Sequence, residues 1–206
     1  IPALFDAVAK GDTATVRRMV EQDKALLKAR DPRKWDEPTA LHAGLRNEAM
    51  RKLLLSLGAD PNARNGQGYP ALFMARHDNT NSLLRELLAA GADINARDSD
   101  GMTLLHYACS DVRQRAVSGF LLDNNADANA ASRFGVTPLH LVSDPVIAKR
   151  MVEMGADANA LDWRGRTPLF NADGELLIAL IARGARSDIA DRTGWTPLHE
   201  AAWHGQ

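Results

Sequence analysis

Apolar positions along this chain fall in short clusters separated by polar turns. Leu4, Phe5, Ala7 and Val8 lie at helical spacing, and Val16, Met19 and Val20 repeat that spacing in the next segment. A pair of amphipathic helices is therefore predicted at the start. Further on, the clusters recur at a near-constant interval. Leu41, Leu72, Leu105, Leu139, Leu169 and Leu198 each stand two residues after positions 39, 70, 103, 137, 167 and 196, which are spaced 31, 33, 34, 30 and 29 apart. An interval of this size marks stacked supersecondary units, none of which can bury its apolar face alone. The longest wholly apolar stretch, Leu176 to Ala182, is far shorter than the roughly 20 residues a bilayer span requires.

Two motifs repeat in phase with these clusters. One reads Gly-Ala-Asp-x-Asn-Ala, as in Gly58 to Ala63, Gly91 to Ala96 and Gly155 to Ala160, with Asn125 to Ala130 a near copy and Gly184 to Asp188 a worn one. The other reads Gly-x-Thr-Pro-Leu-His, as in Gly135 to His140 and Gly194 to His199. Thr39 to His42, Pro70 to Phe73, Thr103 to His106 and Thr167 to Phe170 are partial copies. The residue types suit turn, helix, helix. A threonine such as Thr137 is suited to cap a helix, and Pro138 tolerates the first turn, where no amide donor is needed. Gly155 ends the second helix in a left-handed conformation, and Asp157 and Asn159 satisfy turn backbone groups.

On these motifs the chain resembles the ankyrin-repeat family over roughly residues 3 to 206. The resemblance implies an all-α ankyrin-repeat solenoid of stacked helix-turn-helix units with hairpin-like turn fingers. It also implies that the histidine of each Thr-Pro-Leu-His motif is held by hydrogen bonds linking adjacent turns. One domain, 1–206, is expected. Residues 1–30 form an atypical capping repeat, 31–63, 64–96, 97–130, 131–160 and 161–190 form repeats, and 191–206 form a C-terminal half-repeat. The half-repeat either caps the array or leads into further sequence. The chain opens on Ile1 rather than Met, so either a targeting segment was removed or the chain was trimmed; a cytoplasmic location is favoured, and a bacterial periplasm fits if a signal segment was removed before Ile1.

Three irregularities interrupt the pattern. From Thr137 to Gly155 is 18 residues and from Thr167 to Gly184 is 17, against 21 from Pro70 to Gly91. The deficits fall near Ser143-Asp144-Pro145 and Asn171-Ala172-Asp173-Gly174, where shortened helices should open a notch. In the first turn, Asp31 to Thr39 is eight residues where Asp162 to Thr167 is five, so Pro32 to Trp35 is expected to form an extended finger.

In the ankyrin family, partners bind the turn tips and exposed inner-helix positions of the concave face. Here those positions carry Arg33, Trp35, Tyr69, Met102, Arg133, Phe134, Trp163, Arg164, Arg166, Trp195 and Trp203. All four tryptophans lie at positions the family leaves open, although aromatic residues make up only 5% of the chain. Trp, Tyr and Arg dominate interface energetics, so these eleven residues are the candidate partner-binding set. The competing reading is that tips stack on one another, Arg over Trp, and stiffen the array.

Composition changes this picture little. The 45% apolar and 25% charged content is that of a globular chain. A formal net charge of −1 lacks the basic excess of a nucleic-acid binder. One cysteine, Cys109, excludes an internal disulfide and a cysteine zinc cage. His106 and Cys109 are three apart, but without further ligands packing is the expected role. His42, His106, His140 and His199 occupy the motif slot, whereas His77 and His204 fall near inner-helix ends. No phosphate loop, dinucleotide fingerprint or nucleophile elbow occurs. No catalytic residue, metal or cofactor is expected. The reading is a monomeric, non-catalytic module that binds another protein, with an inhibitor or immunity-type role, on the model of small bacterial ankyrin proteins, as one version. The alternatives are a domain of a larger adaptor, receptor or enzyme, and, more remotely, an enzyme with an unconventional site in the notch.

Overall fold

The computed structural model describes residues 1–77 and 81–205; residues 78–80 and 206, and the side chain of His77, lie outside the described residues. The chain divides into two compact units, Ile1–Ser99 and Asp100–Gln206. Both are helical, and among the described residues extended backbone pairs only as isolated bridges, among them Arg30 with Thr39 and Arg64 with Pro70 at the fingers of the first unit.

The first unit opens with α1 (Pro2–Lys10) and α2 (Thr13–Gln22), followed by a 3₁₀ turn at Lys24–Lys28. Next come α3 (Ala40–Gly44), α4 (Glu48–Ser56), a 3₁₀ segment at Ala71–His77 and α5 (Ser82–Ala89). Proline at the first turn of α1 and the left-handed Gly11 after it set the limits of that helix. Asp12 caps α2 by accepting from the Thr15 amide, and Asn47 caps α4 by accepting from Met50. The first helix of each pair packs on the next, α1 on α3 and α3 on the 3₁₀ segment, while α2 packs on α4. Leu4, Phe5, Leu41, Leu54, Leu72, Phe73 and Leu84 are buried between these rows.

The second unit holds α6 (Leu104–Cys109), α7 (Arg115–Asp123), α8 (Pro138–Leu141), α9 (Pro145–Glu153), a 3₁₀ segment at Pro168–Asn171, α10 (Gly174–Ile181) and α11 (Pro197–Trp203). Helices α6 and α8, the 3₁₀ segment and α11 stack in one row, and α7, α9 and α10 in another. Leu105, Leu121, Leu139, Met151, Leu169 and Leu180 fill the space between.

Asparagines of the Gly-Ala-Asp-x-Asn motif tie successive turns together. Asn129 Nδ2 donates to the Gly155 carbonyl at 2.9 Å, and its Oδ1 accepts from the Asp157 amide at 2.8 Å. Asn159 repeats this with the Gly184 carbonyl and the Arg186 amide, at 3.1 and 2.8 Å. Gly155 has φ +93°, a left-handed conformation that glycine adopts without a Cβ penalty. The apolar period thus produces the helices, and the polar motif sets their stacking.

The two 3₁₀ segments at Ala71–His77 and Pro168–Asn171 are the repeats in which phenylalanine, Phe73 or Phe170, stands in the histidine slot. With histidine present, the slot lies in α-helix at His42, His106, His140 and His199. The shortened repeats show where the missing residues come from: α8 has only 4 residues, and the second short repeat has no α-helix in its inner row.

Candidate functional site

The histidines are structural clamps. His140 Nδ1 accepts from the Thr137 amide at 3.1 Å and faces the Thr137 hydroxyl at 2.9 Å, while Nε2 meets the Arg166 carbonyl at 3.0 Å. A carbonyl accepts only and an amide donates only, so the ring is neutral with its hydrogen on Nε2. His106 makes the same contacts to Thr103 and to the Val136 carbonyl. Thr137 and His140 thus form a reciprocal capping box, the Thr137 side chain turned to the His140 amide and the His140 ring to the Thr137 amide, as the sequence position suggests, and the hydroxyl meets the imidazole as well. Burial lowers the pKa of His140 and of His42, because the charged ring would lose its water. Thr167, whose partner slot holds Phe170, is fully buried with its Oγ1 unpartnered.

Cys109 is buried against Met151, Sγ to Sδ 3.8 Å, and burial pushes its thiol up to about 12. Among the described residues, no group of three or more His, Cys, Asp or Glu is arranged to hold a metal, and no helix is long and apolar enough to cross a membrane.

At the second short repeat there is a depression of about 320 Å³ lined by Phe170, Asn171, Asp173, Pro197, Glu200 and His204 among others; Ser143, Asp144 and Pro145 of the first short repeat do not line it. Glu200 is engaged there: the Trp195 indole donates to its Oε2 at 2.9 Å, and His204 Nε2 lies 3.4 Å from its Oε1.

The tip residues divide into two groups. Some are drawn into the fold. Arg33 makes a two-pronged pair with the buried Asp31 and reaches Asp6 at 2.7 Å, which holds the Asp31 carboxyl below the usual range. Arg166 donates through Nε to Asp191 at 3.0 Å and covers the Phe170 ring. The Thr193 hydroxyl, first among several donors that include Arg166, holds the Asp191 carboxyl down to about 2. Tyr69 is half-buried with its ring 5.7 Å from Phe73, Met102 is half-buried, and Trp195 is half-buried beside His199 at 5.1 Å.

The others face solvent. Trp35 is 82% exposed on the first finger, where the Asp31 amide bonds the Pro38 carbonyl and closes the loop. Trp203, on α11, is 78% exposed. On the second unit, Arg133, Phe134, Trp163 and Arg164 are all exposed and contiguous. The Trp163 amide donates to the Phe134 carbonyl at 2.8 Å, and the Arg192 amide donates to the Arg164 carbonyl at 2.9 Å. These bonds join three successive tips into one ridge. The Arg164 guanidinium lies 4.8 Å from the centre of the Trp163 ring, so the stacking expected between tips occurs within one tip. The turn acids point inward: Asp162 accepts the Arg164 and Arg166 amides at 2.8 and 2.9 Å. Ser132 takes the aspartate slot in the preceding tip and accepts from Phe134 and Val136. Arg192, which carries no tryptophan-like signal in the sequence, joins the ridge only through its backbone bond.

A row of turns pinned by Thr-x-x-His clamps and Asn staples defines a repeat protein of the interaction-module class. Residues 71–160 match the family model for ankyrin repeats, in three copies. The solved ankyrin-repeat domain of Bcl-3, described as a unique member of the IkappaB protein family, superposes with a TM-score of 0.76 at 27% identity, covering 96% of this chain and 92% of that one. The chain is an ankyrin-repeat protein, and its fold is the all-α ankyrin stack. Among sequence relatives, the tyrosine-protein kinase HTK16 of Hydra vulgaris is 37% identical over 115 residues, 50% of this chain and 15% of the kinase. The Homo sapiens neurogenic locus notch homolog protein 1 is 37% identical over 94 residues, 42% of this chain and 4% of that protein. The putative ankyrin repeat protein FPV230 of Fowlpox virus is 28% identical over 130 residues, 62% of this chain and 69% of that protein. The chain thus spans a small part of the kinase and the notch protein. These relatives are animal and viral; they lend no weight to the bacterial or immunity-type expectation.

Proposed function

We propose that this chain is a non-catalytic protein-binding module whose second unit engages its partner along the turn-tip ridge. The observation that carries the reading is the pair Phe134 and Trp163, 54% and 52% exposed, side by side on a backbone-bonded edge. Aromatic side chains are the anchors that dominate interface energetics, and a ridge fixed by backbone bonds loses little freedom on binding. Arg133 and Arg164 flank the pair. Arg33, Tyr69, Met102, Arg166 and Trp195 serve mainly to hold the tips, and Trp35 and Trp203 are secondary contact points. The partner is another protein met by a monomer of this chain, without cofactor or nucleic acid. The kinase and notch relatives match this chain over only 15% and 4% of their length, which favours a recruiting module within a larger protein over a stand-alone inhibitor.

The test is co-purification from native extract with this chain as bait, beside a Phe134→Ala, Trp163→Ala bait of equal urea stability. A stoichiometric protein held by the first and lost by the second is the expected result. Equal capture by both baits sinks the ridge reading. Assaying the captured protein with and without this chain separates recruitment from inhibition.

A further inference from the structure

Resting on that reading of the ridge, we infer that its partner segment is an extended, acidic peptide with one apolar side chain set between two carboxylates, in the pattern acid, spacer, apolar, spacer, acid.

The argument begins with charge. Among the described residues, Arg133, Arg164 and Arg192 lie within ion-pair distance of no carboxylate, whereas Arg33, Arg51, Arg113, Arg115, Arg150, Arg166, Arg183 and Arg186 all do. These three arginines all stand on one ridge, on successive tips, whereas Arg18, Arg46 and Arg64, which likewise meet no carboxylate among the described residues, are scattered over the first unit. The acids of two of these tips are consumed inside the turns, Asp162 by backbone amides and Asp191 by Thr193, Trp195 and Arg166. The third tip has Ser132 in place of the acid. Asp100, exposed and bonded through its carbonyl to the Arg133 amide, marks the end of the cationic stretch. The Arg164 guanidinium carbon lies over the Trp163 ring, and a guanidinium held over an aromatic face can still offer N–H groups to a carboxylate.

Spacing then selects the peptide. Along the ridge the order is Arg133, Phe134, Trp163, Arg164. Two adjacent-residue steps of about 3.8 Å and one hydrogen-bonded crossing of about 5.5 Å separate Arg133 from Arg164 by at most about 13 Å. An extended chain rises about 3.3 Å per residue and places residues i, i+2 and i+4 on one face. Carboxylates at i and i+4, about 13 Å apart, therefore reach Arg133 and Arg164 even at the full separation, and the side chain at i+2 falls on the Phe134–Trp163 pair. Arg192, bonded through its amide to Arg164, adds a second guanidinium at that end. Bound this way, the peptide meets a cation, an aromatic platform and a cation pair in order.

The experiment is fluorescence anisotropy of the full chain at low ionic strength with labelled synthetic peptides. The probe is Glu-Ser-Phe-Ser-Glu between Gly-Ser flanks. The controls are the permuted Glu-Glu-Phe-Ser-Ser, the charge-reversed Lys-Ser-Phe-Ser-Lys, and oligo-dT of similar length. The probe is expected to bind tightest, about threefold over the permuted peptide, and to weaken as salt screens the pairs. Each exposed pair is worth at most about fivefold, so R133Q/R164Q/R192Q should weaken the probe about tenfold and remove its preference over the permuted form. Equal binding of the lysine peptide, tighter binding of oligo-dT, no measurable binding of the probe, or an unchanged triple variant each overturns the inference. Repeating the co-purification with the triple variant separates the two claims. If the aromatic double variant loses the partner while the arginine variant keeps it, the acidic-peptide inference fails and the ridge reading stands. If both keep it, the ridge reading fails.

Discussion

Replacing His140 by phenylalanine tests the clamp that organises the second unit, because the protein itself shows that phenylalanine fits. Phe170 occupies the equivalent slot one repeat later and is buried, with Thr167 Oγ1 left unpartnered beside it. In His140→Phe, the Thr137 amide and hydroxyl both lose Nδ1, and the Arg166 carbonyl loses Nε2 but keeps the Asp162 amide at 3.0 Å. Two orphaned buried donors cost about 1–3 kcal/mol each. The larger apolar ring returns about 1 kcal/mol, so the net loss should be about 1–5 kcal/mol at pH 7.5. For a chain of this size that is a fall in Tm of about 2–20 °C.

The same variant changes the pH dependence. His42 and His140 have lowered pKa values in the fold, so the unfolded chain takes up protons that the native rings refuse. Their stabilising contribution is present above the unfolded value of about 6.5 and is lost as pH falls through it, at up to about 1.4 kcal/mol per pH unit for each ring. His140→Phe removes one of the two protons from this slope. Urea unfolding followed by circular dichroism at pH 7.5 and 5.5 reads both effects. A variant as stable as the parent at pH 7.5, or one with the parent's full acid sensitivity, refutes the clamp.

Three further expectations follow from buried groups and the ridge backbone. Arg51 donates to Glu86 at 2.7 and 2.9 Å and to the Leu45 carbonyl at 2.6 Å from a nearly buried position. Glu86→Leu should therefore cost about 2–4 kcal/mol by stranding the guanidinium, and adding Arg51→Met should recover part of it; a loss under about 0.5 kcal/mol, within the range of an ordinary surface change, contradicts the pair's importance. Cys109, with its thiol raised to about 12 and 2% exposed, should react with a disulfide reagent at pH 8 only as the protein unfolds, and rapid labelling in native buffer disproves this. Gly135 sits at φ +68°, where a Cβ would lie 2.9 Å from the Leu161 carbonyl oxygen. Gly135→Ala should cost about 1–3 kcal/mol and weaken probe-peptide binding, and an unperturbed urea midpoint would show that the tips are looser than their bonds imply.

Sequence spacing alone determined the repeat, its helix-turn-helix content and the structural role of His42, His106, His140 and His199, because the bonds within each unit recur at fixed offsets. Thr137 to His140 is three residues, and Asp157 to Asn159 is two; such distances are legible in any chain that carries the pattern. It also placed all four tryptophans outside the core, since none falls at an apolar-stripe position. Tertiary structure alone decided which tips remain available. Arg33 finds Asp6 across 27 residues, Arg166 finds Asp191 across 25, and the Trp195 indole finds Glu200 through the turn of α11. Arg133 and Arg164 carry the same residue type at comparable tip positions and meet no carboxylate. It decided, too, that Arg192 stands beside Arg164 and that Arg51 is buried against Glu86. Long flexible side chains choose partners by direction and by what the neighbouring repeat presents. For Arg33, Arg51 and Arg166 that choice depends on contacts between residues 25 to 35 apart, which the period brings together but does not itself specify.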